Sequence, residues 1–406
     1  MKIAYVCQYF VPEPSAPSAR ISELAQEWVE DGHEVTVLTG MPNHPTGIVL
    51  DKYQGKIIAN EKIGGVMVLR SWLYATPNQG ILKKTLSHLS FMLSTIILGL
   101  PRLRSIDVII VSSPTFFSVF AGLFISKMRR VPFVFEVRDL WPAIFVDLGI
   151  LSNVFLIRVL EYWELFLYRQ AALVVTVTNA FRHKLIERGV IPEKIVVVSN
   201  GASVDIFCPG NKNSDLCNDL GVSDKFVVSY IGAHGISQGV ETIMEGAEIL
   251  QSRTDIAFVF VGEGAMKHSM VVEKNRKDLR NVIMLPSQPK DNMPDLYRVS
   301  DVCLVPLRDI PLFDTFVPSK MFEIMSCGIP IIGSVRGEAR EILENSGSAR
   351  IISPESVHEL VDSIKWMADN PQIRNKMGAS GRIYVCEYYN RTMLAKKYVN
   401  YLKRIV

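Results

Sequence analysis

The stretch Val317-Pro318-Ser319-Lys320-Met321-Phe322-Glu323-Ile324-Met325-Ser326-Cys327-Gly328-Ile329-Pro330-Ile331-Ile332 carries the densest information in the chain. Pro-Ser-Lys at its start reads as the entry to a short helix, Gly328 as the stop, and the residues after it as an apolar strand. A helix running straight into an apolar strand is the repeating unit of a parallel α/β sheet. The free N–H groups and positive dipole end at the helix start suit a phosphate, and Lys320 adds a point charge there. Glu323, about one turn further in, is placed to accept both hydroxyls of a ribose. Phosphate at one end and ribose at the other describe a nucleotide. The same spacing fits a surface helix with ordinary charges, and on spacing alone the two readings stand level.

Outward from this stretch, strand and helix alternate through the chain, which predicts parallel sheets with helices on both faces. Strands are expected at Met1–Gln8, Glu34–Thr39, Val66–Ser71, Val108–Ser112, Phe133–Val137, Leu173–Thr176 and Ile195–Val198, with helices over Ser18–Asp31 and Val154–Tyr168. Asn200-Gly201-Ala202 is a turn and Pro209–Asp215 a polar linker. The alternation then restarts, with strands at Phe226–Ile231, Ala257–Val261, Val282–Leu285, Val302–Pro306, Ile329–Gly333 and Arg350–Ile352 and a helix from about Val240 to Leu250. Two Rossmann-like domains in series follow, hinged near 200–222, with a ligand expected in the cleft outside the strand C-termini. A last helix, from about Val385, is rich in tyrosine.

Bulk properties agree. A chain of 406 residues exceeds the about 250–300 at which single cores stop growing. With 48% hydrophobic and 21% charged residues it is an ordinary folded protein, and a net charge of +3 gives no case for nucleic acid. The six cysteines (Cys7, Cys208, Cys217, Cys303, Cys327, Cys386) form no C-x-x-C pair, so neither zinc nor a disulfide framework is expected. Met1–Val6 leads directly into a strand with no signal peptide, which predicts a cytoplasmic protein. Leu86–Pro101 is apolar but shorter than a membrane span and broken by His88, Ser87, Ser90, Ser94 and Thr95. It reads as a buried helix or, with Lys83, Lys84, Arg102 and Arg104 around it, as a helix dipping into an anionic membrane surface.

Other segments carry candidate chemistry. Gly232 and Gly235, in Tyr230–Gly239 after the first strand of the second series, let backbone approach a diphosphate. Arg20, in the loop and helix start Tyr9–Arg20, either meets an anionic acceptor or phosphate, or is a surface or ion-pair residue. In Arg138-Asp139-Leu140-Trp141-Pro142, charged side chains at a strand's C-terminal end face the crevice. Asp139 there suits the orientation of a sugar hydroxyl or an acceptor nucleophile, while Trp141 either stacks on a sugar or belongs to the core. G-x-S-x-G, H-E-x-x-H and Walker A motifs are absent, and the seven histidines are dispersed, so no metal site is expected.

Taken together, these motifs resemble those of the retaining glycosyltransferases of family 4, with the GT-B fold, over nearly the whole chain. The resemblance rests on Glu323 with the turn Ser326–Pro330, the Gly232–Gly239 loop, the Gly262-Glu263-Gly264-Ala265 turn, Asp301–Arg308 and Arg138–Pro142. It implies a nucleotide-sugar site built from Gly232, Gly235, Gly262, Gly264, Pro318, Ser319, Lys320 and Glu323. Phe313 and Asp314 lie in the loop that holds the transferred sugar, and Arg20, Arg138 and Asp139 on the acceptor side. Asp139, Lys320 and Glu323 are the catalytic candidates. Three departures are plain. The family's first glutamate falls on Thr315, leaving Asp314 or Asp309 to replace it. Its loop lysine falls on Gln238, leaving Lys320 and then Lys267 to neutralise phosphate. Its N-terminal glycines fall on Ala16-Pro17.

The resemblance implies the domain limits 1–203 plus the returning helix 385–406 for acceptor binding, and 204–384 for the nucleotide sugar. It also implies front-face displacement with no metal and no cofactor beyond a UDP-sugar donor. Within the family the chain is most similar to the WbuB-type L-fucosamine transferases of bacterial O-antigen and capsule synthesis. That implies a UDP-linked N-acetyl-L-fucosamine donor, a polyprenyl-diphosphate-linked saccharide acceptor and peripheral contact with the inner membrane face. Two rivals remain open: a non-hydrolysing UDP-sugar 2-epimerase, and a non-enzymatic two-domain sugar-binding protein.

Overall fold

In a computed structural model of the protein, residues 1–406 are described except 14, 45, 78, 79, 114 and 148. Near-continuous apolar runs such as Val108-Ile109-Ile110-Val111 can be buried only as inner strands covered on both faces, and they sit at the centre of a sheet. The chain divides into two units, Met1–Ser199 with Thr392–Val406, and Asn200–Arg391.

In the first unit the strands are β1 Lys2–Val6, β2 Glu34–Gly40, β3 Ile58–Ile63, β4 Val66–Ser71, β5 Val108–Ser112, β6 Phe133–Val137, β7 Leu173–Thr176 and β8 Ile195–Val197. They form one sheet in the order β3-β4-β2-β1-β5-β6-β7-β8, parallel throughout except for the antiparallel β3–β4 edge. The sequence reading omitted β3. Its alternation is diluted by Asn60, Glu61 and Lys62, as suits an edge strand, although Gly64-Gly65 after it is a hairpin turn signal. Gly64 and Gly65 have φ of 54° and 83°, which favours glycine at both turn positions.

In the second unit the strands are β9 Phe226–Ile231, β10 Ile256–Val261, β11 Val282–Leu285, β12 Val302–Pro306, β13 Ile331–Ser334 and β14 Ala349–Ile352. All pair in parallel in the order β11-β10-β9-β12-β13-β14. Each unit is thus a Rossmann-like α/β layer structure, and the pair is the GT-B architecture.

The C-terminal segment departs from a single helix starting at 385. One helix spans Pro371–Tyr388, the chain breaks at Tyr389–Asn390, and a second helix spans Arg391–Leu402. Tyr389 remains in the second unit because its ring stacks on Phe322 at 4.4 Å. Its carbonyl accepts from the Ala202 N–H at 3.0 Å, and the Arg391 N–H donates to Ala202 O at 2.9 Å. Beyond Arg391, Leu394, Ala395, Tyr398, Val399 and Leu402 join the first unit's core. There Trp28 donates from its indole N–H to Ala395 O at 3.1 Å and meets Tyr398 edge-on at 5.3 Å. Packing therefore moves the return point from 385 to 392, and the first unit closes at Ser199 rather than 203.

The apolar Leu86–Pro101 segment forms the end of the Ile81–Ser94 helix, a π-helical Thr95–Gly99 segment and a 3₁₀ turn. Phe91 and Thr95 are buried while Leu93 and Ile97 are exposed, so only one face is covered. Among the described residues no helix is long and apolar enough to cross a membrane. All six cysteines are free thiols, and Cys7, Cys217, Cys303 and Cys327 are buried.

Candidate functional site

Two glycine turns at the strand ends of the second unit pack against each other. Gly232, just after β9, has a φ of 141°, and Gly262 and Gly264, just after β10, have 148° and 156°. A Cβ on Gly262 would lie 1.9 Å from the Gly232 carbonyl oxygen, and one on Gly264 would lie 2.3 Å from that of His234. The turns are also laced together: the His234 N–H donates to Glu263 O and the Met266 N–H to His234 O, both at 2.9 Å. Gly262 and Gly264 are therefore glycine because two loops touch there. Gly232 has a different neighbour, since a Cβ on it would face the Lys320 ammonium at 3.3 Å.

Lys320 opens the Lys320–Ser326 helix, after Ser319 as its cap residue and Pro318. Its Nζ is buried, has no hydrogen-bond partner among the described residues, and sits 3.7 Å from the centre of the Tyr230 ring. Burial lowers its pKa to about 7, against the opposing influence of Cys303 and Glu323. His234 lies in the same place, fully buried, with both ring nitrogens unpartnered among the described residues. Burial, then the positive charges of Lys267 and Lys320, push its pKa down to about 4, so the imidazole is neutral at pH 7. The Gln238 Oε1 is likewise buried, with no hydrogen-bond partner among the described residues. A buried polar group without a partner is costly, and here an ammonium and an imidazole lie close together, with the amide oxygen beside Gly235. Glu323, one turn from Lys320, is half-buried and accepts a hydrogen bond from the Tyr297 hydroxyl at 3.0 Å. The motif reading named Lys320, Glu323 and Gly232, which the fold brings close together. It did not name His234, whose only signal was its place inside the Gly232–Gly235 turn.

Lys267 differs from Lys320. Its ammonium donates to Gly262 O at 3.0 Å and Leu285 O at 2.7 Å, so it ties the ends of β10 and β11 together instead of standing open to a phosphate. Thr315, in the position of the expected first glutamate, is buried and donates to Leu312 O at 2.7 Å. Of its two suggested substitutes, Asp309 is paired with Arg336 at 2.6 Å. Asp314 is half-buried in the Pro311–Thr315 turn, whose backbone lies so close to Gly337 that a Cβ there would be 1.9 Å from Asp314 O. Gly235 lies beneath the Gln238 side chain, which a Cβ would meet at 2.6 Å.

In the first unit Arg20 is a core residue: of its two expected roles, the structure matches the ion pair, buried rather than on the surface, and not the acceptor-side contact. It is 2% exposed, pairs with Glu136 at 3.3 Å, and donates to Val198 O and Ser199 O, both at 2.8 Å. Glu136, at the end of β6, also accepts from the Tyr5 hydroxyl at 3.0 Å. Burial drives the Glu136 carboxyl up, but Arg20 and Arg138 overcome this and hold it below the usual carboxylate range. Arg138 and Asp139 follow β6, half-buried, with their N–H groups directed at Ser113 Oγ at 2.8 and 3.4 Å. Burial raises the Asp139 pKa, with Arg138 opposing. Trp141 stacks on Phe116 at 4.1 Å and meets Phe145 edge-on, which places it in an aromatic cluster. Glu13, not singled out from sequence, is buried and takes three backbone N–H donors, from Phe10, Asn43 and His44 at 2.9–3.1 Å. It holds the loop after β1 to the loop after β2. Pro14, in the same loop, lies outside the described residues.

Two family likenesses, one over each half of the chain, define the class as a glycosyltransferase. Residues 15–201 match the glycosyl transferase 4-like domain and residues 218–384 match the glycosyl transferases group 1. The chain belongs to the GT-B glycosyltransferases that combine these two domains. It is 27% identical over 377 residues, 90% of this chain and 91% of the relative, to WcaI of Escherichia coli K12, assigned to colanic acid biosynthesis as a glycosyl transferase. It is 26% identical over half of each chain to TuaH of Bacillus subtilis, assigned to teichuronic acid biosynthesis. Among solved structures, HepE of Anabaena in complex with UDP and glucose superposes with a TM-score of 0.75 at 17% identity, over 99% of each chain. Sucrose-phosphate synthase of Thermosynechococcus elongatus gives 0.79 at 15%, over 99% of this chain and 98% of that one.

Proposed function

We propose that the protein is a retaining, metal-independent glycosyltransferase of bacterial surface-polysaccharide synthesis, with a UDP-sugar as donor and no further cofactor. The observation that carries this reading is the buried Lys320 ammonium, without a hydrogen-bond partner among the described residues, between the Gly232 turn and Glu323. In the proposed complex Lys320 and the backbone around Ser319 and Gly232 hold the diphosphate, and Glu323, oriented by Tyr297, accepts the ribose hydroxyls. The bond from the sugar anomeric carbon to the UDP oxygen breaks as an acceptor hydroxyl bonds to the same face. The hydroxyl proton passes to the departing phosphate. Charge on the leaving diphosphate is stabilised by donors already in place, often the largest catalytic contribution. Asp139 orients the acceptor, and Asp314 contacts the transferred sugar.

The WcaI and TuaH likenesses support an acceptor in polysaccharide assembly, and we assign it as a polyprenyl-diphosphate-linked saccharide. The donor sugar is N-acetyl-L-fucosamine or a similar amino sugar, on the strength of the motif resemblance. The exposed basic residues near Leu86–Pro101 fit a cytoplasmic protein working at the inner membrane face. Calorimetric titration with UDP, GDP and ADP tests the core of this reading. UDP is expected to bind in preference, and Glu323→Ala to weaken it at least about tenfold, consistent with loss of a charge-assisted hydrogen bond. Absence of any nucleotide binding overturns it.

A further inference from the structure

Glu355, in the second unit, stands in a backbone conformation that suits a different residue. It follows β14 in the turn Ser353-Pro354-Glu355-Ser356, closed by the Ser356 N–H donating to Ser353 O at 3.2 Å, and its φ is 61°. The third place of a turn with positive φ is ordinarily glycine or asparagine. A longer residue persists there only where its surroundings over-determine it. Both carboxylate oxygens of Glu355 are engaged: one accepts from the Asp309 N–H at 3.0 Å, and the other faces the Arg308 Nε at 3.9 Å.

Those two partners lead in different directions. Arg308, just past β12, pairs with Glu241 at 2.7 Å, in the first turn of the Val240–Ile249 helix. Its backbone N–H donates to Ser237 O at 3.0 Å. Gly239 has a φ of 55°, and a Cβ on it would meet the Arg308 Cγ at 3.4 Å and the Glu355 Cγ at 3.7 Å. Arg308 and Glu355 therefore pack directly on the end of the Gly232–Gly239 loop. Asp309 leads the other way, pairing with Arg336 and running into the Pro311–Thr315 turn that carries Asp314. There the Phe313 N–H donates to Ile310 O at 2.8 Å and the Phe316 N–H to Phe313 O at 3.1 Å. One carboxylate thus ties the end of the glycine loop to the start of the Asp314 turn. The side chains of Arg308, Glu241 and Glu355 are 31%, 41% and 42% exposed, and ion pairs so exposed add little stability. Stability does not offset the strained backbone, so the use of Glu355 lies in where it holds its neighbours.

We propose that Glu355 is a positioning residue of the donor site, linking the glycine loop that receives the diphosphate to the Pro311–Thr315 turn that meets the transferred sugar. It touches no reacting atom and acts through Arg308 and Asp309. Order imposed on the glycine loop by a bound nucleotide passes along these contacts to the turn, which is set before a sugar engages it. The proposal rests on the reading of the second unit as a nucleotide-sugar site.

Amide hydrogen exchange of the full chain, with and without saturating UDP, tests this, with UDP affinity and melting temperature measured on the same samples. In the wild type UDP is expected to slow exchange at Phe313 and Phe316 by at least about threefold. Glu355→Gly, which suits the positive φ, should lose that slowing while its melting temperature stays within about 3 °C and its UDP affinity within about threefold. Glu355→Gln, whose amide oxygen still accepts from the Asp309 N–H, should retain the slowing. Absence of UDP binding in the wild type overturns the nucleotide-sugar reading and the proposal with it. UDP binding without slowed exchange at Phe313 and Phe316 overturns the proposal alone. So does slowing that survives in Glu355→Gly or is lost in Glu355→Gln. A Glu355→Gly protein that melts well below the wild type, or binds UDP much more weakly, assigns Glu355 a purely structural role and also overturns it.

Discussion

Arg20 in the first unit and Lys320 in the second are both buried cations at the mouth of a parallel sheet, yet their surroundings are opposite. The Arg20 guanidinium meets a carboxylate and two carbonyls. The Lys320 ammonium has no hydrogen-bond partner among the described residues and lies over an aromatic face. Guanidinium is a planar fork that several fixed acceptors can satisfy together, whereas an ammonium is a compact charge whose pKa shifts readily on burial. A satisfied buried charge belongs to the architecture. An unsatisfied one, kept at the cost of desolvation, makes a candidate place for an anion.

That contrast breaks most visibly under substitution of the two cations. Arg20→Ala strands Glu136 in the core and should destabilise the first unit by about 3–5 kcal/mol, read as a large drop in the denaturant midpoint. Lys320→Met should do the reverse, raising the melting temperature while weakening UDP binding by about 1.5–3 kcal/mol, roughly 10- to 150-fold. A Lys320→Met protein that binds UDP normally would end the comparison.

The titration of Lys320 sharpens it further. With a pKa of about 7 in the free protein, Lys320 is charged below pH 7 and largely neutral above it. A bound diphosphate favours the charged form, so UDP binding takes up a proton above pH 7. Affinity should then fall with rising pH by up to about tenfold per unit from pH 7 until the pKa of the complex is reached. Calorimetry in buffers of differing ionisation enthalpy measures the proton directly. The sign for folding is opposite: the unfolded chain binds more protons between about 7 and 10.5, so this lysine's contribution to stability grows with pH across that window and is absent in Lys320→Met.

The smallest effect is expected at Lys267, the other lysine that the motifs offered for phosphate. Its two carbonyl bonds are structural, so Lys267→Met should lower stability by about 1–2 kcal/mol and change UDP affinity less than threefold, by roughly the 0.6 kcal/mol that such a factor represents. A large loss of UDP affinity there would show that the ammonium leaves its carbonyls for the ligand.

Much of the fold was legible because inner strands of parallel sheets are apolar throughout and their helices carry a 3.6-residue stripe. The strands at Val108–Ser112 and Phe226–Ile231 show this, with expected bounds equal to those observed. The edge strand Ile58–Ile63 was not legible from its composition, since one open side removes the demand for apolar residues. The break at Tyr389 was not either, because it depends on a ring stacked on Phe322 and on bonds to Ala202, residues far away in sequence. For the site, glycine turns and the Pro-Ser-Lys-x-x-x-Glu spacing are local and could be read. The lack of a Lys320 hydrogen-bond partner among the described residues, the burial of His234 and the capture of Lys267 by two carbonyls could not.

By itself the sequence determined two Rossmann-like layers in series and a nucleotide-suited turn at Pro318–Glu323, because backbone conformation and strand burial follow from neighbouring residues. Only the tertiary structure decided which charged groups are satisfied. Arg20 became core, Lys267 a strap and Lys320 an open cation, because desolvation and hydrogen-bond partners are set by residues brought together from distant parts of the chain.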